Sequence, residues 1–268
     1  MNQINKEQNF FEPYLTTPYI NGNYSSSKNE YLQRIEQQMS SLNNHSTSNR
    51  YWENYEARTY NWKQWICFMI PIGIKNVSYA NQLLDAGSQL ININNYDAFP
   101  TQCLYLPISF VGFLKPDGIM WSQVESFYVN ASPRLHRIEP FNIQLLKIAY
   151  DEETISIVFD DNYAFKEIRH QLQLGVPHIN AIYKNNDSYV KNSIDNFMPK
   201  INIGYFSQAS YQEVNSKLES VEISESKLDI DTIYLVRMSA DPQIKLPQPD
   251  IIAEIPLMGS KHRTGYHN

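Results

Sequence analysis

The chain has 268 residues, of which 42% are hydrophobic and 19% are charged, and its formal net charge is −6. The apolar content is enough for one sizeable core. The negative charge excludes an overall positive field that would attract nucleic acid, so we expect no bulk nucleic-acid binding. The N-terminus is polar and the best apolar run, 66–74, is too short to span a bilayer. We therefore expect a cytoplasmic protein without membrane contact.

The cysteines, histidines and glycine patterns of the sequence exclude several kinds of site. Only Cys67 and Cys103 occur, both in apolar segments where a small buried thiol packs well, with a redox or nucleophilic role as the alternative. The six histidines show neither the helical His-x-x-x-His spacing nor the cysteine pairs that bind zinc. The glycine-rich loops that hold phosphates or dinucleotides are absent from the sequence. We predict no metal site and no cofactor.

Residues 1–59 form an N-terminal arm in our interpretation, because they are rich in Asn, Ser, Gln and Glu and poor in aliphatic residues. Within the arm, the apolar residues of 27–42 recur at helical spacing, which predicts one amphipathic helix. The stretch 50–65 is crowded with aromatic residues, which either pack on the domain surface or bind a protein partner. We divide the rest into a domain over residues 60–258 and a C-terminal tail over 259–268.

From residue 65 onward, strand patterns alternate with helix patterns. Apolar runs or strict alternation predict strands over residues 66–70, 104–112, 141–149, 155–159, 198–205, 232–238 and 251–257. Apolar residues at helical spacing predict helices over residues 76–90, 119–129, 163–174, 179–194 and 208–218. The order indicates an α+β fold made of two half-domains.

Two of the predicted strands point to a family. The first reads Leu104-Tyr105-Leu106-Pro107-Ile108-Ser109-Phe110-Val111-Gly112, and the second reads Pro199-Lys200-Ile201-Asn202-Ile203-Gly204. Residues two apart share one face of such a strand. This pair of segments resembles the twin His-x-Thr/Ser strand motifs of the 2H phosphoesterase superfamily, which includes the bacterial 2′-5′ RNA ligase and cyclic phosphodiesterase proteins.

The resemblance covers nearly the whole span 60–258. Residues 68–72 look like the opening strand of the family, and 233–237 with 253–257 look like its final strand pair. The resemblance implies a two-lobed α+β fold, in which two antiparallel sheets with flanking helices surround a central cleft.

Neither motif of this chain contains a histidine. In one register, Tyr105 stands at the place of the family histidine and Pro107 at the place of its hydroxyl residue, whereas a register two residues later uses Pro107 and Ser109. In the second motif, Lys200 takes the histidine place and Asn202 takes the threonine place.

The substitutions bear directly on the chemistry. In the family, one histidine is the general base and the other the general acid, while the hydroxyl residues hold the phosphate oxygens. Lys200 and Tyr105 would each need a pKa lowered by several units to act as a base. We therefore interpret the protein as a divergent pseudoenzyme whose cleft binds a phosphate-containing or polar small molecule, nucleotide-like in character. The predicted ligand-binding residues are Tyr105, Ser109, Lys200, Asn202 and Tyr205.

Two alternatives stay open. In the first, the protein is a repurposed enzyme in which Tyr105 and Lys200 perform acid–base chemistry on a nucleotide or a small metabolite. In the second, it is a protein-interaction module that uses the aromatic part of its arm. We interpret His178, which lies in another segment resembling the motif, as a turn or helix-start residue. Arg169 is predicted to lie on an exposed, charged helix face together with Glu167 and His170.

Overall fold

The computed structural model describes residues 64–89, 96–114, 118–151, 154–179, 199–206, 226–240 and 246–259, together with the single residues 214, 218 and 221. The predicted arm with its helix, most of the helix patterns 179–194 and 208–218, and nearly all of the tail lie outside these described residues.

The described part of the chain consists of nine strands, four α-helices and one short 3₁₀ helix. The strands are β1 (Gln64–Ile70), β2 (Tyr96–Ala98), β3 (Leu106–Phe113), β4 (Phe141–Asp151), β5 (Thr154–Asp160), β6 (Lys200–Phe206), β7 (Lys227–Ile230), β8 (Thr232–Ala240) and β9 (Pro247–Pro256). The helices are α1 (Ile72–Lys75), α2 (Val77–Ser88), α3 (Trp121–Leu135) and α4 (Ala164–Gly175), and the 3₁₀ helix is Thr101–Cys103.

The strands form two sheets, and each pairing between neighbouring strands is antiparallel. Sheet A has four strands in the order β3-β1-β8-β9, and sheet B has five in the order β2-β6-β5-β4-β7. The predicted α+β fold with two antiparallel sheets is therefore confirmed.

The main hydrophobic core lies between the helices and one side of each sheet. Its strand residues alternate along the chain, as the two-residue period of a strand requires, and include Ile66, Phe68, Leu106, Ile108, Ile157, Ile201 and Leu235. Its helix residues include Leu83, Phe127, Ile168 and Leu172. Helix α2 packs on β6, α3 on β9 and α4 on β3. The helices thus cover the side of each sheet that faces the main core.

Helix α3 is longer than predicted, because it continues to Leu135 rather than ending near Val129. Pro133 lies inside it and lacks the N–H that would bond the carbonyl of Val129. Val129 is 56% exposed, so that carbonyl can bond water instead. The proline stands in the last turn of the helix, where its cost is small enough for the packing of Leu135 in the core to offset it.

Strand β2 approaches β6 closely at Gly204, which pairs with Ala98. A Cβ atom at Gly204 would lie 2.5 Å from Cε2 of Tyr96 and 2.7 Å from the carbonyl oxygen of Asp97. Since such distances are too short for a carbon atom, glycine is required for β2 to lie against the second motif strand.

Candidate functional site

The two motif strands lie next to each other. Strand β3 is at the edge of sheet A and β6 is second from the edge of sheet B, and Cα atoms of the two strands approach within 8 Å. Segments about ninety residues apart in the chain therefore meet where the two sheets join.

The side of sheet B away from the main core is polar. Ile157 and Ile201 point into the core, so the residues next to them on β5 and β6 lie on the opposite side. We call this side the inner face of sheet B, and its central residues are Lys147, Ala149, Ser156, Val158, Lys200 and Asn202. Strand pairing arranges them in two rows, Lys147–Val158–Lys200 and Ala149–Ser156–Asn202.

A partly buried hydrogen bond fixes the second row. The hydroxyl of Ser156, which is 0% exposed, donates to Oδ1 of Asn202 at 2.7 Å. With its oxygen engaged, the Asn202 side chain has its amide nitrogen left as a donor. Asn202 itself is half-buried, as is Lys200 two residues before it. The inner face of sheet B therefore presents an ammonium group and an amide donor from the same strand.

The corresponding side of sheet A is apolar. We call it the inner face of sheet A, and its residues are Trp65, Cys67, Met69, Tyr105, Pro107, Phe110, Phe113, Tyr234, Val236, Met238 and Ile251. The rings of Phe110 and Phe113 meet edge to face with centroids 5.3 Å apart. Burial raises the pKa of the Cys67 thiol and of the Tyr234 hydroxyl, so both groups are neutral near pH 7. Of the eleven residues named, five are aromatic and none is charged, so they form an uncharged wall.

An ion pair lies at the end of this wall. Nζ of Lys75 is 2.6 Å from Oε1 of Glu254 and 5.3 Å from the centroid of the Tyr234 ring. The hydrogen bond to Glu254 is the main cause of the raised pKa of Lys75. The groups are partly exposed, so the pair contributes little to stability.

The structure distinguishes the two possible registers of the first motif by which residues lie on the inner face of sheet A. Pro107 pairs with Met69 on the inner face, and Tyr105 packs against the same inner-face cluster. A register shift follows, so that Ile108 and Ser109 both stand opposite Phe68, a residue of the main core. Tyr105 and Pro107 are therefore the motif residues on the inner face.

Two of the predicted ligand-binding residues are more deeply placed than the others. Ser109 is 5% exposed and stands beside the core residue Phe68. Tyr205 pairs with Thr154 and packs against Phe99, with the ring centroids 6.1 Å apart. Of the five predicted residues, Lys200 and Asn202 lie on the inner face of sheet B, and Tyr105, directly before β3, packs on the inner face of sheet A.

Lys147 and Ser156 were missed from sequence, although a signal for them exists. Each is the single polar residue of an otherwise apolar run, Leu145 to Ala149 for the lysine and Ile155 to Phe159 for the serine. Such isolated polar residues mark the side of a strand that leaves the core.

The expected exposure of Arg169 was wrong. This side chain is 4% exposed, and its Nη1 atom donates a hydrogen bond to the carbonyl oxygen of Ile108. Ile108 lies between Pro107 and Ser109, at the register shift of β3. Helix α4 thus uses a buried guanidinium to hold the first motif strand, whereas Glu167 and His170 are exposed.

Two of the described histidines take part in helix packing. His178 lies edge-on to the core residue Phe127, with ring centroids 4.9 Å apart. Nε2 of His136 is 3.1 Å from the hydroxyl of Ser132, in the last turns of α3. Neither imidazole lies on the inner faces defined above.

The described residues hold neither a metal cluster nor a membrane-spanning helix. Within these ranges, no group of three or more His, Cys, Asp or Glu side chains is arranged to hold a metal ion. In the same part of the chain, no helix combines the length and the apolar character needed to cross a membrane.

Comparison with known proteins gives a match in structure only. No family model matches the chain, and no curated protein matches it in sequence. TT0787 of Thermus thermophilus is similar with a TM-score of 0.51 and 14% identity, over 73% of this chain and 99% of that chain. E. coli LigT complexed with 3′-AMP and LigT complexed with phosphate each give a TM-score of 0.50 and 11% identity, over 74% of this chain and 99% of theirs. The chain therefore has the fold of the 2H phosphoesterases.

Proposed function

We propose that this protein binds a phosphate-containing, nucleotide-like small molecule between its two inner faces, without the two-histidine catalysis of the 2H phosphoesterases. The observation that carries the proposal is the placement of Lys200 and Asn202 together on the inner face of sheet B, on the strand that adjoins β3.

The inner face of sheet B suits the phosphate. Lys200 supplies a positive charge and three N–H donors, and Asn202 supplies an amide donor held in place by Ser156. Hydrogen bonds between a cation and a phosphate are about twice as strong as those between neutral groups. Together these residues can replace the histidine and hydroxyl residue of the second family motif as phosphate ligands.

The inner face of sheet A suits the rest of such a molecule. Tyr105 is a partly exposed aromatic side chain on this wall, and a flat base can stack on a ring of this kind. Stacking of one base on an aromatic side chain contributes about 1–3 kcal/mol. A ligand with an anionic end and a planar aromatic end matches the contrast between the two faces.

The same placement argues against the family reaction. That reaction needs two groups that exchange protons near neutral pH, and histidine does so without perturbation. Here Tyr105 and Lys200 stand at the two histidine places, and Pro107 replaces the first hydroxyl. Binding without turnover requires only charge and hydrogen bonds, which these residues retain.

The solved structures suggest which ligands to test first. LigT was crystallised with 3′-AMP and with phosphate. Because this chain shares that fold, nucleoside monophosphates and inorganic phosphate are reasonable first probes.

The aromatic stretch 50–65 stays a predicted contact for a protein partner, and nearly all of it lies outside the described residues.

Calorimetric titration of the full chain with 3′-AMP tests the proposal. Lys200→Met should weaken binding at least about tenfold, the loss expected for one charge-assisted hydrogen bond. Lys166→Met, on the exposed side of α4, is the matched control and should leave affinity unchanged. Binding that is insensitive to Lys200→Met would place the ligand elsewhere, and hydrolysis of 2′,3′-cyclic AMP that depends on Tyr105 and Lys200 would establish the enzymatic alternative instead.

A further inference from the structure

We propose that the aromatic stretch at the end of the arm, residues 51–63, packs on the inner face of sheet A and covers it from β3 to β8. This stretch leads directly into β1, because the described part of the chain begins at Gln64. The inference goes beyond the proposed function and does not depend on it, since it concerns a contact within the chain and is tested without a ligand.

The side chains of this face are closed to solvent. Strand pairing arranges them in three rows across β3, β1 and β8, namely Phe113–Trp65–Met238, Phe110–Cys67–Val236 and Pro107–Met69–Tyr234. All of these residues except Trp65 are buried, and Val236 and Met238 are 0% exposed. Side chains that stand side by side on a sheet shield each other's flanks but leave their ends to water. A further layer must therefore lie over them.

The described helices do not supply this layer. Helices α2, α3 and α4 pack against the main core, on the opposite side of the sheets. Within the described residues, the apolar cluster on the inner face consists of sheet A residues together with Tyr105. The main contact between the two sheets is that of β3 with β6, at the edge of sheet A, whereas the buried rows extend to β8. The layer over β1 and β8 is therefore a part of the chain outside the described ranges.

The arm reaches this face more directly than the other long segments do. Three such segments lie largely outside the described ranges, namely 180–198, 207–225 and the tail 260–268. Ile179, which borders the first, and Val214, inside the second, are residues of the main core. Gly259, which borders the tail, donates its N–H to backbone carbonyl groups at the end of α3. Trp65, next to the arm, instead packs against the apolar cluster of the inner face.

The stretch 51–63 suits the face in composition and in length. Five of its residues are aromatic, namely Tyr51, Trp52, Tyr55, Tyr60 and Trp62. Aromatic side chains bury large apolar areas and pack edge to face on other rings, as Phe110 and Phe113 do with each other. The stretch spans about 43 Å when extended, whereas β1 is about 23 Å long, so it can fold back over all three rows.

The covered area adjoins the proposed ligand site without closing it. Tyr105 precedes the end of β3 that lies away from Trp65, and it is partly exposed. Lys200 and Asn202 on sheet B are partly exposed as well. The arm thus covers the rows on β1 and β8 and leaves the end at Tyr105 to a ligand. This packing is the alternative to a contact with a protein partner.

Photo-cross-linking of the full chain tests the contact directly. p-Benzoylphenylalanine in place of Trp62 keeps an aromatic side chain at this position and inserts into nearby C–H bonds when it is irradiated. We expect cross-links within one chain to peptides that hold residues 105–113 or 234–238, which mass spectrometry identifies. The same replacement at Val129, which is 56% exposed on α3, is the control and should give neither cross-link.

The reactivity of Cys67 is a second readout in the full chain. Cys67 stands in the middle row and is 3% exposed, whereas Cys103 lies in the main core. A chain that carries both Trp52→Ser and Trp62→Ser loses part of the cover, so iodoacetamide at pH 8 should modify Cys67 at least about tenfold faster while Cys103 stays protected. Trp121→Ser is the matched control and should change neither rate. Trp121 is 55% exposed and stacks on Arg237, on the opposite side of sheet A.

Each readout can overturn the inference. Cross-links from position 62 only to the helices, or only between two chains, would do so, and the second result would favour a partner-binding arm. An unchanged rate at Cys67 in the double variant would also overturn it, because the face would then be closed without the arm. Equal gains at Cys67 and Cys103 would mean that the whole fold is loosened, and the cross-links then decide. Neither readout uses 3′-AMP, so a failure of the proposed function leaves both intact.

Discussion

The hydroxyl of Ser156 donates a hydrogen bond of 2.7 Å to the side-chain oxygen of Asn202, across the pairing of β5 with β6. The two residues are 46 positions apart in the chain. Their bond holds the Asn202 amide on the inner face of sheet B, two residues from Lys200. Ser156, which the sequence analysis did not single out, thus orients part of the proposed phosphate site.

Replacement of Ser156 by alanine should lower both stability and affinity. The variant leaves Oδ1 of Asn202 without its buried donor, which costs about 1–3 kcal/mol in the free energy of unfolding. It also frees the amide to rotate, so binding of 3′-AMP should weaken. Urea denaturation and calorimetric titration measure the two effects.

Ser122 offers a matched control, because it is an exposed serine on α3. Ser122→Ala should change the free energy of unfolding by less than about 0.5 kcal/mol. Equal stability of the two serine variants would show that the Ser156–Asn202 bond does not hold the site.

Replacement of Arg169 by methionine should destabilise the first motif strand. Methionine has a similar length but cannot donate to the carbonyl of Ile108. A hydrogen bond from a charged donor is worth about 1.5–3 kcal/mol, so the free energy of unfolding should fall by that amount. Lys166→Met on the exposed side of the same helix should have little effect, and urea denaturation compares the two variants. A stabilised Arg169→Met chain would mean that the buried charge costs more than its bond contributes.

The main elements of the fold could be predicted from local pattern. Strands β3 and β6 show clear alternation, and their predicted bounds lie within two residues of those observed. Strands β2 and β7 have three and four residues, Tyr96–Ala98 and Lys227–Ile230, which are too few to show a period. These strands form by pairing with β6 and β4, and that pairing depends on residues far away in the chain.

The site was harder to predict than the fold, because two register shifts move its residues from one face to the other. Simple alternation places Ser109 on the face of Tyr105 and places Lys147 on the face of Leu145. Pairing with the neighbouring strands instead places Ser109 opposite Phe68 and Lys147 opposite Val158. A shift of this kind is set by contacts between strands, so the pattern of one strand alone does not show it.

The two cysteines should be unreactive in the folded protein. Cys67 is 3% exposed and Cys103 is 4% exposed, and burial raises the pKa of the Cys67 thiol. Since the thiolate is the reactive form, iodoacetamide at pH 8 should modify neither residue until urea unfolds the chain. An introduced Ser122→Cys should react at once and serves as the positive control. Rapid modification of Cys67 without denaturant would favour the redox or nucleophilic role.

Asp161 should make stability depend on pH. This carboxyl is 5% exposed, and burial raises its pKa to about 6 even though Oδ2 accepts a hydrogen bond of 2.8 Å from the backbone N–H of Phe165. The pKa of an unfolded aspartate is about 3.9, so between these two values the folded chain holds the proton more tightly than the unfolded chain does. The proton held by Asp161 therefore contributes fully to the free energy of unfolding below pH 4. This contribution is lost as the pH rises through about 6.

Asp161→Asn separates this effect from other titrating groups. Asparagine keeps an oxygen that can accept from Phe165 but does not ionise, so the variant lacks the pH-dependent loss. The free energy of unfolding of the variant minus that of the wild type should rise between pH 4 and pH 6 by about 3 kcal/mol at most, and level off above pH 7. Urea denaturation at intervals of half a pH unit measures the difference. A difference that falls over this range would require a lowered pKa, and would mean that the backbone hydrogen bonds to the carboxylate outweigh its burial.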